Sequence, residues 1–232
     1  MAVSFPATKP ATRARAAVVR GQPAIRKMVV EFIGTFVLVF TIGAAVRSGA
    51  ALAPLAIGGA LMVMVYAGGH ISGGHYNPAV TLAVLIRGRI DRGDAFRYWI
   101  AQLAGGLGAA MVVRAVVTAS QAHPVAPVGH GMASALVVEL LFTFALAFVV
   151  LNVATSKDSP ENSFFGLAIG STVMVGAIAV GGISGGAFNP AVVVGGAAMG
   201  LFASSTLIYL VAQLIAGAGA GLVFRALNPE DK

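Results

Sequence analysis

No cysteine occurs in the 232 residues, which excludes disulfides, thiolate metal sites and cysteine nucleophiles. Acids are scarce as well, with eight Asp and Glu together. No HExxH, clustered carboxylates or Ser/Lys pair stands in an apolar segment, so an enzyme has no residues to work with, and neither metal nor cofactor is expected. Charged residues of both signs make up only 10% of the chain, against about 25% in ordinary soluble domains. What fills the space is apolar: 58% hydrophobic residues and a mean hydropathy of +0.89. This composition belongs to an integral membrane protein with several spans, its partner the lipid bilayer. The basic excess, 15 Lys and Arg, is not a nucleic-acid surface, because it falls in short hydrophilic gaps with no aromatics interleaved. Such gaps are the ordinary positive-inside signal, so no nucleic-acid partner is expected.

Residues 1–27 are basic, free of acids and rich in proline. They read either as an organelle-targeting peptide or as a disordered cytoplasmic tail, and topology alone calls for the tail. Six apolar runs then follow, at about 28–46, 50–68, 95–118, 132–153, 163–180 and 204–225, each near the ~20 residues that cross hydrocarbon. The predicted membrane-embedded unit covers 28–226, in halves 28–118 and 132–226, with a short tail over 227–232. Six spans put both termini on one side. The loop carrying Arg87, Arg89, Arg92 and Arg97 joins them on the cytoplasmic face, the membrane being that of the cell. Residues 119–131, with His123 and His130, form a polar outer loop.

Between the second and third runs stands Ser72-Gly73-Gly74-His75-Tyr76-Asn77-Pro78-Ala79-Val80, and after the fifth stands Ser184-Gly185-Gly186-Ala187-Phe188-Asn189-Pro190-Ala191-Val192. Seven of the nine positions agree, at an offset of 112 (189 minus 77). Glu31 and Glu139, Tyr98 and Tyr209, and Gln102 and Gln213 repeat at similar offsets. Three spans per half invert the second copy in the membrane, which places a working site near the midplane between the halves. Asparagine is a good N-cap, and proline after it suits a first turn. The stretches 77–86 and 189–198 are therefore half-helices, ~15 Å long at ~1.5 Å per residue. Entering from opposite faces, their N-termini meet at the centre, each presenting about half a positive charge. Non-helical backbone at that depth must line a cavity or be buried in protein. Gly73, Gly74, His75 and Gly185 are thus expected on the pore wall. The construction suits small neutral molecules and repels cations.

These residues resemble the aquaporin, or major intrinsic protein, family. The paired boxes Asn77-Pro78-Ala79 and Asn189-Pro190-Ala191, the lead-in from His70, Glu31, Gln102 and Gln213 carry the resemblance over residues 28–226. It implies an all-α fold of six transmembrane helices and two re-entrant half-helices in inverted repeats. It also implies a homotetramer with a pore in each subunit, passing water or small neutral solutes passively. By the family's spacing the outer selectivity filter falls on Ile57, Ala177, Gly186 and Val192. Most members carry arginine where Val192 stands, although some plant vacuolar members also have valine there. The acid usual in glycerol facilitators is replaced by Val193. A filter without fixed charge is wider and more apolar; its solutes extend from water to ammonia, urea, glycerol or hydrogen peroxide.

Glu31 and Glu139 are the only acids inside spans, and intramembrane acids are functional suspects. One reading makes them a proton relay in an ion- or proton-coupled secondary transporter. The other makes each an acceptor for backbone N–H groups of a re-entrant loop, and their repetition in both halves favours this loop support. His70 and His75 read as gating groups or, more simply, as braces of the loop. A non-conducting structural member of the same fold is the remaining alternative.

Overall fold

The computed structural model describes residues 19, 21–118, 131–159 and 162–231. Six helices in it are long and apolar enough to cross a membrane: α1 (Ala24–Arg47), α2 (Ala53–Ser72), α4 (Arg92–Val116), α5 (Gly131–Val150), α6 (Phe165–Ser184) and α8 (Tyr209–Leu227). A π-helical turn, Leu151–Thr155, prolongs α5, and a 3₁₀ turn, Ser204–Ile208, leads into α8. Two shorter helices, α3 (Pro78–Arg87) and α7 (Pro190–Ala198), follow the two asparagines. The polar loop at 119–130 and most of the basic tail lie outside the described residues.

Two helix ends differ from expectation for one reason. α2 and α6 continue to Ser72 and Ser184, four residues beyond 68 and 180, through glycines that read as loop. Away from water a backbone amide has no alternative partner, so the helix runs on until a left-handed residue stops it. Gly73 (φ 94°) and Gly185 (φ 90°) are those residues. α1 likewise starts at Ala24, placing Lys27 within the helix rather than in the tail; it is 4% exposed and bonded to Asp94 at 2.6 Å. A buried ammonium survives there because that carboxylate neutralises it.

Small residues set how closely the helices approach. α2 and α6 cross where a Cβ on Gly58 would stand 2.6 Å from the Gly170 carbonyl oxygen, so the crossing requires glycine. Gly105 meets the Phe32 carbonyl in the same way at 2.6 Å, closing α4 on α1. The half-helices are held across the repeats. Gly106 of α4 lies against the Ala191 carbonyl of α7, and Gly217 of α8 against the Ala79 carbonyl of α3. Each half-helix therefore rests on the last helix of the other half. Their C-terminal carbonyls are capped crosswise as well, Arg114 donating to Ala198 and Arg225 to Ile86, which places cations at the negative ends of the helix dipoles.

The chain's end folds back on the terminus-bearing face. Arg87, at the end of α3, is buried over the Phe224 ring at 4.6 Å and pairs with Asp231 at 2.6 Å. Asp231 also accepts from Arg89 at 3.0 Å and from the Lys157 backbone N–H at 2.9 Å. Burial works to raise its pKa, but the hydrogen bonds from Lys157 and Arg87 and the charges of Arg87 and Arg89 outweigh it, holding the carboxyl below its ordinary range. A depressed carboxylate pKa contributes stability above the unfolded value, near 3.9 (about), and loses it as pH falls through the folded one. Asp231→Asn is accordingly expected to cost roughly 3 kcal/mol at pH 7, since it leaves Arg87 buried without its counter-charge. In detergent, thermal unfolding of variant and parent should converge as the pH falls below the ordinary carboxylate range.

Candidate functional site

Asn77 and Asn189 occupy the N-caps of α3 and α7. Asn77 Oδ1 accepts from the N–H of Ala79 at 2.8 Å, and Asn189 Oδ1 from that of Ala191 at 2.9 Å. Each amide group also reaches across the repeats. Asn77 Nδ2 donates to the Phe188 carbonyl and Asn189 Nδ2 to the Tyr76 carbonyl, both at 2.9 Å. The two boxes are thus tied into one unit at the centre of the molecule.

The carbonyls they use belong to residues in an unusual conformation. Tyr76 and Phe188 both have φ of 48°, which costs a bulky residue about 1–3 kcal/mol. Sequence reasoning passed over them, although an aromatic stands before asparagine in both copies. Their backbone is fixed from below by the two buried glutamates. Glu31 accepts from the Ser72 hydroxyl at 2.6 Å, the N–H groups of His75 and Tyr76 at 3.0 and 2.7 Å, and Gln102 Nε2 at 2.8 Å. Glu139 repeats the set with Ser184 at 2.7 Å, Ala187 at 2.9 Å, Phe188 at 2.8 Å and Gln213 at 2.8 Å. Both side chains are fully buried. The Tyr76 ring fills the room left by Gly34 and Gly68, and the Phe188 ring that left by Gly176.

Two cavities lie along the axis. A central one of about 20 Å³ has Asn77, Asn189, Ile57, Gly186 and Val192 on its wall; this is space for roughly one or two waters. Its remaining lining is apolar apart from His75, with Leu38, Leu61, Leu146 and Ile169 among it. Ala177 is not on this wall; its Cα faces Gly186, 3.4 Å from where a Cβ on that glycine would sit. The second cavity, of about 100 Å³, opens on the terminus-bearing side and is lined by Gly73, His75, Lys27, Arg89, Asp91 and Asp94 among others. Gly74 and Gly185 are on neither wall. With φ of 67° and 90° they turn the chain into the boxes. His75 donates or accepts at Thr81 Oγ1 over 3.1 Å, whereas His70 is exposed at the end of α2 and does not brace the loop. No group of three or more metal-ligating side chains occurs among the described residues.

Six spans, two half-helices meeting at capped asparagines, and a narrow axial cavity walled by apolar side chains define a membrane channel. The family model "Major intrinsic protein" matches residues 18–224, and the chain belongs to that family. It is 40% identical to "Glycerol uptake facilitator protein-like 6" of Lactiplantibacillus plantarum, over 89% of this chain and 100% of that protein. Rice "Aquaporin NIP1-4" is 37% identical, over 85% of this chain and 74% of its own length. Among solved structures, the aquaglyceroporin of Plasmodium falciparum superimposes with a TM-score of 0.72 at 22% identity, covering 89% of this chain and 96% of that one; this likeness concerns the fold. The protein is a passive channel for water and small solutes.

Proposed function

We propose that the channel passes water and a broad set of small neutral solutes, and excludes ions by the opposed half-helix dipoles and the two pore asparagines. The observation that carries this reading is the central cavity, whose wall has two asparagine amides and no charged side chain. A cation there meets two helix N-termini and finds no carboxylate to replace its hydration. Ile57, Ala177, Gly186 and Val192 act as the outer filter. Three of them share the cavity wall and the fourth backs Gly186. With valine in place of a guanidinium, the filter offers no fixed charge and selects by size and by backbone acceptors. The relative named as a glycerol uptake facilitator adds glycerol to the solutes worth assaying.

Glu31 and Glu139 support the loops rather than relay protons, since their hydrogen-bond donors are loop or neighbouring-helix groups and neither lines the two cavities described above. The protein acts as a channel and not as an enzyme. Its termini are cytoplasmic, on the face that gathers Lys27, Arg87, Arg89 and Arg97, as charge bias requires. Exposed apolar side chains such as Val63, Met111, Ile178 and Leu222 serve lipid and the neighbouring copies of a homotetramer.

The test is a proteoliposome panel of water, glycerol, urea, ammonia and proton flux, run with Val192→Arg alongside. Arginine is expected to lower glycerol and urea flux about tenfold relative to water, because it narrows the filter and adds fixed donors. An unchanged solute profile would remove the filter from these four positions, and absent flux would remove the channel reading itself.

A further inference from the structure

The two half-helices end at matching junctions that are built differently. Just past α7, the carbonyl of Met199 accepts from Arg47 at 3.5 Å. At the end of α3, Arg87 donates to the Thr155 carbonyl at 3.3 Å. Residues 87 and 199 are 112 apart (199 minus 87), and residues 47 and 155 are 108 apart (155 minus 47). The same crossing is thus bridged by one arginine in each half, and one guanidinium is enough to join it. The terminus-bearing junction nevertheless adds Arg89, whose counterpart 112 residues on is Leu201. It also seats the Asp231 carboxylate against both arginines.

This cluster holds more cation than its carboxylate answers. Arg87 and Arg89 pair with the same oxygen, Asp231 Oδ1, at 2.6 and 3.0 Å, and the other oxygen takes the Lys157 N–H at 2.9 Å. Nε of Arg87 and Nε of Arg89 are buried without a hydrogen-bond partner, which buried donors rarely are. At the rim, Arg225 donates to the Ile86 carbonyl and Lys157 Nζ to the Glu230 carbonyl. Four basic residues therefore surround two acids, and one of these, Glu230, is exposed. The carboxylate arrives on a short turn over residues 228–231, in which Asp231 is the one buried residue. A turn held by a single buried side chain opens without unfolding a helix.

We propose that Arg87, Arg89 and the Lys157 N–H form a binding site for a phosphate-class anion, with Asp231 as the resident carboxylate that such an anion displaces. A phosphomonoester brings close to two negative charges and three acceptor oxygens, against one charge and two oxygens on Asp231. Guanidinium groups take phosphate oxygens in forked pairs, and the two unpartnered Nε–H groups are the donors available for the added oxygen. Two sources carry this chemistry: soluble phosphate, and the phosphomonoester headgroup of a lipid. A headgroup is within reach because α8 ends beside the site with Leu222 and Leu227 exposed. Arg89 and Thr155 also line the vestibule, so an anion bound here lies at the vestibule's rim.

Thermal unfolding of the full chain in detergent tests the site, with inorganic phosphate as the probe and sodium chloride at equal ionic strength as the control. Asp231→Asn removes the resident charge, and phosphate is expected to recover at least about half of that variant's loss in Tm, with chloride recovering little. The parent should need about tenfold more phosphate for its shift, because its own carboxylate competes. Arg89→Gln in the Asp231→Asn background should abolish the recovery. Equal recovery with chloride, or recovery that survives Arg89→Gln, would overturn the proposal. If Asp231→Asn does not fold, the parent and the single Arg89→Gln variant are compared at high phosphate, and equal shifts in both would overturn it. Phosphatidic acid in phosphatidylcholine mixed micelles separates the sources. Stabilisation at about tenfold lower concentration than inorganic phosphate assigns the lipid headgroup, and stabilisation no better than that of phosphate assigns the soluble anion. A protein that conducts water but ignores phosphate loses this site alone; one that binds phosphate and conducts nothing keeps the site and loses the channel.

Discussion

Glu139→Ala is expected to leave a chain that neither accumulates as a folded protein nor conducts. The glutamate accepts from four buried donors: the Ser184 hydroxyl, the Ala187 and Phe188 N–H groups, and the Gln213 amide. Alanine strands them all, and each buried unsatisfied donor costs about 1–3 kcal/mol. The sum approaches the whole stability of a typical domain, about 5–15 kcal/mol. Phe188 would also lose the bond that holds it at φ 48°, so the carbonyl it offers Asn77 would turn away. Glu139→Gln keeps one acceptor oxygen but sets an NH2 against other donors, and should fall between the two. Thermal unfolding in detergent and water flux in proteoliposomes measure both effects. A folded Glu139→Ala protein with parental flux would show that the loop is fixed by other means. Flux driven by a pH gradient and lost in Glu139→Gln would instead revive the proton-coupled transporter.

Gly217→Val should be nearly as damaging, for a steric reason. A Cβ at this position falls on the Ala79 carbonyl, which is backbone of α3 and has no rotamer into which to retreat. Overpacking of this kind costs about 1–3 kcal/mol and more where backbone must move. For a chain of this size about 3 kcal/mol corresponds to a fall in Tm of roughly 6–12 °C. The shift would also displace the N-terminus of α3, so water flux should drop in the fraction that remains folded. Gly59→Ala is the control, because nothing lies within 4 Å of an added Cβ there; it should be neutral or stabilise slightly. Equal melting points for the two variants would mean that α8 does not seat α3 at this glycine.

The parts that could be read from sequence are those written in local chemistry. Asparagine before proline specifies an N-cap and first turn, and α3 and α7 start there. The repeated glutamate and glutamine positions marked two like halves, an odd number of spans in each half inverted them, and an acid inside an apolar run has to find donors. The crosswise relations were not legible. Nothing in Gly106 or Gly217 states that its partner is the half-helix of the other repeat rather than its own, because a small residue records a close approach without recording to what. The φ of 48° at Tyr76 and Phe188 contradicts local preference and exists only because long-range bonds impose it. Asp231 reads as part of a polar tail, yet it closes over Arg87, a contact 144 positions apart (231 minus 87). The expected helix ends at 68 and 180 followed glycine's reputation in water, which the absence of water overrides.

The crossed seating of the half-helices has a consequence for how the protein is made. Ala79 waits for Gly217, which is 138 residues later (217 minus 79). As the ribosome delivers the chain, α1 and α2 can insert and pair, but α3 has no seat until the final span arrives. The first asparagine box spends most of synthesis unanchored, and the half of the pore that carries it is finished last although it is translated first.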